Sequence, residues 1–236
     1  EVLLDMVRDA DVFITNYHPS VLAELRIGPK ALKETVTWLL RTRLRQIDSL
    51  LHVALKNAQE APHDLAYEME HEHLTWSELA NTTSRVAHAM AAAGVKPGDV
   101  VALLAENSPF YIASVLGISR VGATTALVNT NLRGRPLSHA VEVSNAKVVL
   151  VSQTLEAGLR ECEALCQSLD RILVFDDNPY GGLLANTPAT AYPPAPVRAE
   201  DDFIYIYTSG TTGLPKPCRV SHARAILAGA GFGPLM

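Results

Sequence analysis

The sequence predicts an α/β fold built on a mainly parallel sheet. Three observations predict it. From about residue 75 onward helical and strand patterns alternate, the signature of βα units with parallel strands. The strand candidates, such as Val100 to Ala105 and Val148 to Val151, are short runs of branched residues, too short for helices and continuously apolar as buried strands are. The first two helix candidates of this region open on capping residues and close on Gly94 and Gly122, the expected start and stop signals.

The first seventy residues read differently. Val2 to Ala10 is helical in pattern, Val12 to Thr15 is a short strand, and Pro19 opens a helix toward Leu25 that Gly28-Pro29 stops. Leu39 to Lys56 reads as one amphipathic helix. Its Arg41, Arg43, Arg45 and Lys56 invite a membrane reading, but a surface helix with its Leu and Val positions on a core is the default in a globular domain. His71-Glu72-His73 invites a metal, yet metal sites need three or four convergent ligands, so a solvated turn is expected.

Thr75-Trp76-Ser77-Glu78 is a capping box, so a helix is expected from Trp76 to Ala93. Leu79, Val86 and Met90 form its apolar stripe. Lys96-Pro97-Gly98-Asp99 then turns the chain into the strand Val100 to Ala105. Ser108-Pro109 is a cap and first-turn pair opening a helix over Phe110 to Val121. Strand Thr124 to Asn129, a helix from after Pro136 to Ser144, strand Val148 to Val151, a helix over Leu155 to Leu169 and strand Ile172 to Phe175 complete three βα units. Between Asp176 and Asp202 the composition turns to Gly, Pro, Ala and Asn, and Tyr192-Pro193-Pro194-Ala195-Pro196 cannot pair in a central strand. A surface connection is expected there, with Asp176-Asp177 and Asp201-Asp202 as solvated acids.

Composition narrows the function. The 236 residues carry 20 Lys and Arg against 25 Asp and Glu, a net charge of -5, with no basic block to attract nucleic acid or an anionic membrane. Cys162, Cys166 and Cys218 have no zinc spacing and read as reduced, cytosolic thiols. No apolar run has the length of a membrane helix, so a soluble, cytoplasmic chain is expected. It opens on Glu1 and stops at Gly233-Pro234-Leu235-Met236 straight after an apolar segment, and both ends are expected to be cuts.

The chemistry concentrates in Tyr205-Ile206-Tyr207-Thr208-Ser209-Gly210-Thr211-Thr212-Gly213-Leu214-Pro215-Lys216. An apolar strand runs into Gly and hydroxyl residues and ends at a lysine. Glycines let backbone amides approach phosphate oxygens, the hydroxyls of Thr208, Ser209, Thr211 and Thr212 add donors, and Lys216 adds a mobile charge. The spacing is not that of a P-loop, which needs Gly, four intervening residues, then Gly-Lys-Ser/Thr, whereas Gly210, Gly213 and Lys216 are three apart. The bland reading is a flexible turn joining strands Tyr205-Tyr207 and Arg219-Ser221, and its length argues against a plain hairpin.

This segment resembles the AMP-binding signature of the adenylate-forming enzymes: acyl-CoA synthetases, luciferases and peptide-synthetase adenylation domains. Tyr205-Ile206-Tyr207 before the loop, Ser221-His222-Ala223-Arg224 after it and Leu127-Val128-Asn129-Thr130-Asn131-Leu132-Arg133 upstream resemble the fatty acid transport protein or very-long-chain acyl-CoA synthetase branch. The resemblance covers about 36–236 and implies an incomplete three-layer α/β/α N-terminal domain of such an enzyme, with a mainly parallel sheet. It implies ATP with Mg2+, coenzyme A as co-substrate, a fatty acid substrate, phosphate binding by Tyr205 to Lys216, and a candidate substrate-site role for His222. Peripheral membrane association stays open. Where the family has a small residue this chain has Pro217, which fixes φ and removes an amide. The family's adenine, ribose, hinge and lid motifs do not occur before Met236, so an N-terminal fragment without turnover is expected. Two alternatives are a non-catalytic remnant of gene fusion or decay and a CoA-transferase-related protein. The latter rests on 1–35, where Leu3 to Leu22 and Ile27-Gly28-Pro29 resemble a segment of the family III CoA-transferases.

Overall fold

The structure, a computed structural model, describes residues 49–69, 72–176, 182–188, 190–209 and 214–232. The transferase-like segment 1–35 lies outside the described residues. Helix α1 spans Leu50–Glu60, β1 Leu65–Met69, β2 Glu72–Thr75 and α2 Trp76–Ala92. Then come β3 Val100–Leu104, α3 Pro109–Arg120, β4 Thr124–Leu127, α4 Gly134–Val143, β5 Val148–Ser152, α5 Gln153–Arg160 and β6 Arg171–Phe175. The hairpin β7 Asp202–Ser209 and β8 Pro215–Ser221 leads into α6 His222–Phe232.

The local signals act as their chemistry requires. In the capping box at α2 the Glu78 amide donates to Thr75 Oγ1 at 3.3 Å, and the Thr75 amide donates to Glu78 Oε2 at 2.8 Å. Those bonds to the charged form, led by the Thr75 amide, hold the Glu78 carboxyl below its ordinary pKa. Ser108 caps α3 through the Tyr111 amide at 3.1 Å. Gly94 and Gly122 take the left-handed φ values of 86° and 78° at the helix exits.

Strands β6-β5-β3-β4-β7-β8 form one sheet in that order. All neighbours are parallel except β7 and β8. Alternation divides the core in two. Val101, Leu103, Val148, Leu150, Phe175 and Phe203 face α2 and α3, while Ala102, Leu104, Ala126, Val149 and Val151 face α4 and α5. Leu51 and Ala54 of α1 cover the outer side of α2 and α3 at Leu79, Ala113 and Leu116. The chain therefore leaves β3 for one face and β4 for the other. That reversal between neighbours is a topological switch point, where open α/β sheets form ligand crevices beyond the strands' carboxyl ends.

Three expectations change. The helix read over Leu39 to Lys56 does not pass Ser49, which is extended (φ -158°) and accepts from the His52 amide as the N-cap of α1. The helix read over Leu155 to Leu169 ends at Arg160, followed by a separate 3-10 turn at Glu163–Leu165. Leu159, Cys162 and Cys166 are buried either way, so their periodicity does not separate one helix from two pieces. The Pro-rich connection runs over the surface as expected, and it is docked there: Ser84 Oγ accepts from the Tyr192 amide, His88 Nε2 meets the Thr190 carbonyl at 2.9 Å, and Arg120 Nε donates to the Tyr192 carbonyl. Finally, Asp202 is not a solvated acid. Its side chain is 16% exposed and accepts from Arg219 Nη2 at 2.6 Å and from the Tyr205 hydroxyl at 3.1 Å.

Residues 72–75 form the second strand of a β1-β2 hairpin whose register pairs Met69 with Glu72. Glu72 and His73 are exposed there, and His71 lies outside the described residues. Among the described residues no group of three His, Cys, Asp or Glu side chains is placed to hold a metal. No described helix is long and apolar enough to cross a membrane.

Candidate functional site

The candidate phosphate loop is the tip of the β7-β8 hairpin. Register pairs run from Asp202↔Ser221 to Thr208↔Lys216 and Ser209↔Pro215. Both strands therefore extend beyond the segments Tyr205-Tyr207 and Arg219-Ser221, and residues 210–214 span the gap. Gly210, Thr211, Thr212 and Gly213 lie outside the described residues. β7 is parallel to β4, so its tip stands at the carboxyl edge of the sheet, beside the crevice of the switch point.

The flanks divide into positioning and exposed residues. Tyr205 and Tyr207 turn into the layer under α4, and the Tyr207 hydroxyl donates to the Ala140 carbonyl. Burial raises the pKa of both phenols, with the Asp202 hydrogen bond adding to it at Tyr205. Their side chains anchor the strand and do not face the loop. Ile206 projects the opposite way and is 45% exposed. Thr208 and Lys216 are exposed and stand directly opposite each other. Lys216 makes no hydrogen bond or ion pair among the described residues, which leaves its ammonium available to an anion. Leu214 is exposed and Pro215 half-buried.

Pro217 pairs with Tyr207 in β8, a strand with one neighbour among the described residues. Pro215 and Pro217 are two apart, so their missing amides fall on the same side of the strand, and an edge strand tolerates this on its unpaired side. The proline is thus compatible with the hairpin that carries the loop.

His222 is not brought to the loop. It follows Ser221, which pairs with Asp202 at the start of β7, and the eight-residue strand separates it from the tip by roughly 20 Å. Its side chain is 1% exposed and packs on Phe203 with ring centroids 4.7 Å apart. Burial lowers its pKa. The histidine therefore packs the root of the hairpin, as its amide bond to the Asp201 carbonyl also indicates.

The same carboxyl edge carries Glu106, Ser152 and Thr154, which motif reading passed over, beside the Asn129 to Arg133 motif. Glu106, just past β3, accepts from Ser152 Oγ at 3.0 Å and Thr154 Oγ1 at 3.4 Å at the end of β5. After β4, Asn129 Oδ1 caps the Asn131 amide at 2.9 Å, and Arg133 Nη1 binds the Leu132 carbonyl at 2.7 Å. The usable signal is position: the first polar residues after a parallel strand line the crevice. A cleft of about 210 Å³ lined by Gly94, Asp99, Lys147, Asp170 and Arg171 opens at the other edge, where the strands begin, and the Lys147–Asp99 ion pair of 2.8 Å lies along it. It is remote from the loop.

The fold is a doubly wound α/β domain whose sheet carries, at its carboxyl edge, the hairpin that bears Thr208 and Lys216. The chain belongs to the AMP-binding enzyme family, whose pattern matches residues 55–233. It is 36% identical over 163 residues to a medium/long-chain-fatty-acid–CoA ligase, FadD6, of Mycobacterium tuberculosis, covering 68% of this chain and 27% of that protein. It is 34% identical over 198 residues to long-chain fatty acid transport protein 1 of Rattus norvegicus, covering 78% of this chain and 31% of that protein. Among solved structures, the anthranilate CoA ligase AuaEII in complex with anthranoyl-AMP shares the fold with TM-score 0.67 and 24% identity over 74% of this chain and 35% of that one. The chain thus spans about a quarter to a third of the curated relatives' length.

Proposed function

We propose that this chain carries the triphosphate-gripping part of an ATP-dependent fatty acyl-CoA ligase. In that reaction a fatty carboxylate attacks the α-phosphorus of ATP, pyrophosphate leaves, and the acyl adenylate is captured by the thiol of coenzyme A. The observation that carries the reading is the register of the β7-β8 hairpin, which sets Thr208 opposite an exposed Lys216, without an ion pair among the described residues, at the carboxyl edge of the sheet. A lysine there neutralises charge on the β and γ phosphates, and the amides and hydroxyls of 208–213 orient them, so the contribution is positioning and electrostatic stabilisation. Mg2+ enters with the nucleotide, held by phosphate oxygens and water, as this ion commonly is. The choice of a long fatty acid is supported by the named activities of the two curated relatives.

The test has two arms. Titration with ATP and Mg2+ under thermal melting should raise the melting temperature, because a ligand that binds only the native state stabilises it. Lys216→Ala should weaken that ATP affinity about tenfold or more, as one charged phosphate contact is lost. An unchanged affinity refutes the loop assignment, and no shift at millimolar ATP favours a remnant that has lost nucleotide binding. Pyrophosphate exchange with a fatty acid measures whether this chain alone completes the first half-reaction; the expected result is none.

A further inference from the structure

Tyr205 and Tyr207 lie on the same face of β7, yet their hydroxyls act differently. That of Tyr205 stays within the hairpin and donates at 3.1 Å to Asp202 at the root. That of Tyr207 leaves the hairpin and donates to the Ala140 carbonyl of α4. This carbonyl needs a donor. Its helical partner would be the Ser144 amide, which instead donates to the Glu142 carbonyl as the C-cap of α4, so Ala140 presents one of the orphan carbonyls of a helix end. Ala140 is fully buried, and the Tyr207 ring packs on the layer that contains it with Leu137 and Val141. A buried acceptor is costly to leave unpaired, so this bond fixes the phenol against the helix.

The bond also falls at a telling height. Pairing of β7 with β4 ends at Leu127↔Ile206, so from Tyr207 onward the hairpin projects beyond its parallel neighbour. Tyr207 pairs with Pro217, which has no amide to donate, and the rung beyond is Thr208 with Lys216. Among the described residues, the hydrogen bond that ties this projecting end to the body of the domain is the one from Tyr207 to Ala140.

We propose that Tyr207 is a positioning residue of the phosphate loop: its bond to the Ala140 carbonyl holds the projecting tip against α4 and thereby sets where Thr208 and Lys216 stand. The inference rests on the nucleotide reading of that loop. A tip held in advance loses less freedom when the triphosphate binds, which raises affinity.

The experiment is isothermal titration calorimetry of the full chain with ATP and Mg2+, at a temperature where each variant is folded by circular dichroism. Tyr207→Phe keeps the ring and removes the hydroxyl, and it should weaken ATP binding about fivefold or more. Tyr205→Phe removes a hydroxyl from the same strand face at the root, and it should leave the affinity within about twofold, a split that a general loss of stability does not produce. Unchanged affinity in Tyr207→Phe while Lys216→Ala weakens binding overturns the positioning role and leaves the nucleotide reading standing, and so does equal weakening by both phenylalanine variants. No binding by the unsubstituted chain, or no effect of Lys216→Ala, overturns that reading and this inference together. Should Tyr207→Phe not fold, hydrogen exchange of the unsubstituted chain without nucleotide decides. The Thr208 amide should exchange about tenfold or more slower than in an unstructured peptide, and exchange at the unstructured rate overturns the anchor.

Discussion

Gly117 is a point of close approach between α2 and α3, and Gly117→Ala tests whether that contact sets the geometry of this layer. A Cβ built there would lie 2.6 Å from Val86 Cβ and Cγ1 and 2.9 Å from the Thr83 carbonyl oxygen. Carbon contacts are comfortable at about 3.5–4.0 Å, so the helices must separate by about 1 Å, because a backbone carbonyl and a β-branched Cβ cannot rotate away. Overpacking of this kind costs about 1–3 kcal/mol, and the severity of three contacts argues for the upper end. Ala in place of Gly returns about 1 kcal/mol of helix propensity. The net expectation is destabilisation by about 2 kcal/mol, a fall in melting temperature of about 4–8 °C for a domain of this size. Circular dichroism melts of the two proteins measure it. Val86→Ala in the same chain should recover only part of the loss, since it removes Cγ1 but leaves Val86 Cβ and Thr83 O in place. A melting temperature equal to or above that of the unsubstituted chain would refute the reasoning, because propensity alone would then outweigh contact.

Two further predictions concern protons. Glu78 is held below its ordinary pKa, so the unfolded state takes up its proton first, and the stability it contributes is present above about pH 4.5 and lost as pH falls through the folded value; Glu78→Gln should flatten the acid limb of a stability-against-pH curve over that range, and an unchanged limb counts against the capping box as its source. His222 is buried with a lowered pKa, so the unfolded state again binds the proton first and stability falls as pH drops below about 6.5. Replacing it by Phe should remove that loss and leave ATP affinity as it was; a change in ATP affinity would contradict its placement at the root of the hairpin.

Much of the fold was legible because its signals are local. A capping box, a Ser-Pro first turn and two glycines at left-handed exits each act within a few residues, and the structure places α2, α3 and the strands between them within a residue or two of expectation. The β1-β2 hairpin, the break at Ser49 and the docking of the Pro-rich strap were not legible in the same way. The strap is held by Ser84, His88 and Arg120, about a hundred residues or fewer upstream, and composition reports only that its prolines avoid a central strand. Asp202 looked solvated because its partner, Arg219, reaches it only once the two strands have paired.

The candidate site shows the same division, and it bears on how a chain of net charge -5 can address a triphosphate. Read as a string, Tyr205, Tyr207, Lys216 and His222 belong to one motif. An antiparallel hairpin folds that string so that Lys216 returns to the tip beside Thr208 while His222 is carried back to the root. Alternation then turns Tyr205 and Tyr207 toward α4, away from whatever the loop holds. What the tip gains in place of those side chains is its position in the sheet. Arg133 and Arg135 follow β4 at the same carboxyl edge, which also carries Glu106, held by Ser152 and Thr154, and Asp176 at the end of β6. Interactions between exposed charges decay over about 8–10 Å at ordinary ionic strength, so acids elsewhere on the chain bear little on what Lys216 meets at the tip. On the proposed reading, parallel strand polarity, which gathers the ends of β3, β4, β5, β6 and β7 on one side, is therefore what brings cations to the phosphate loop of an acidic protein.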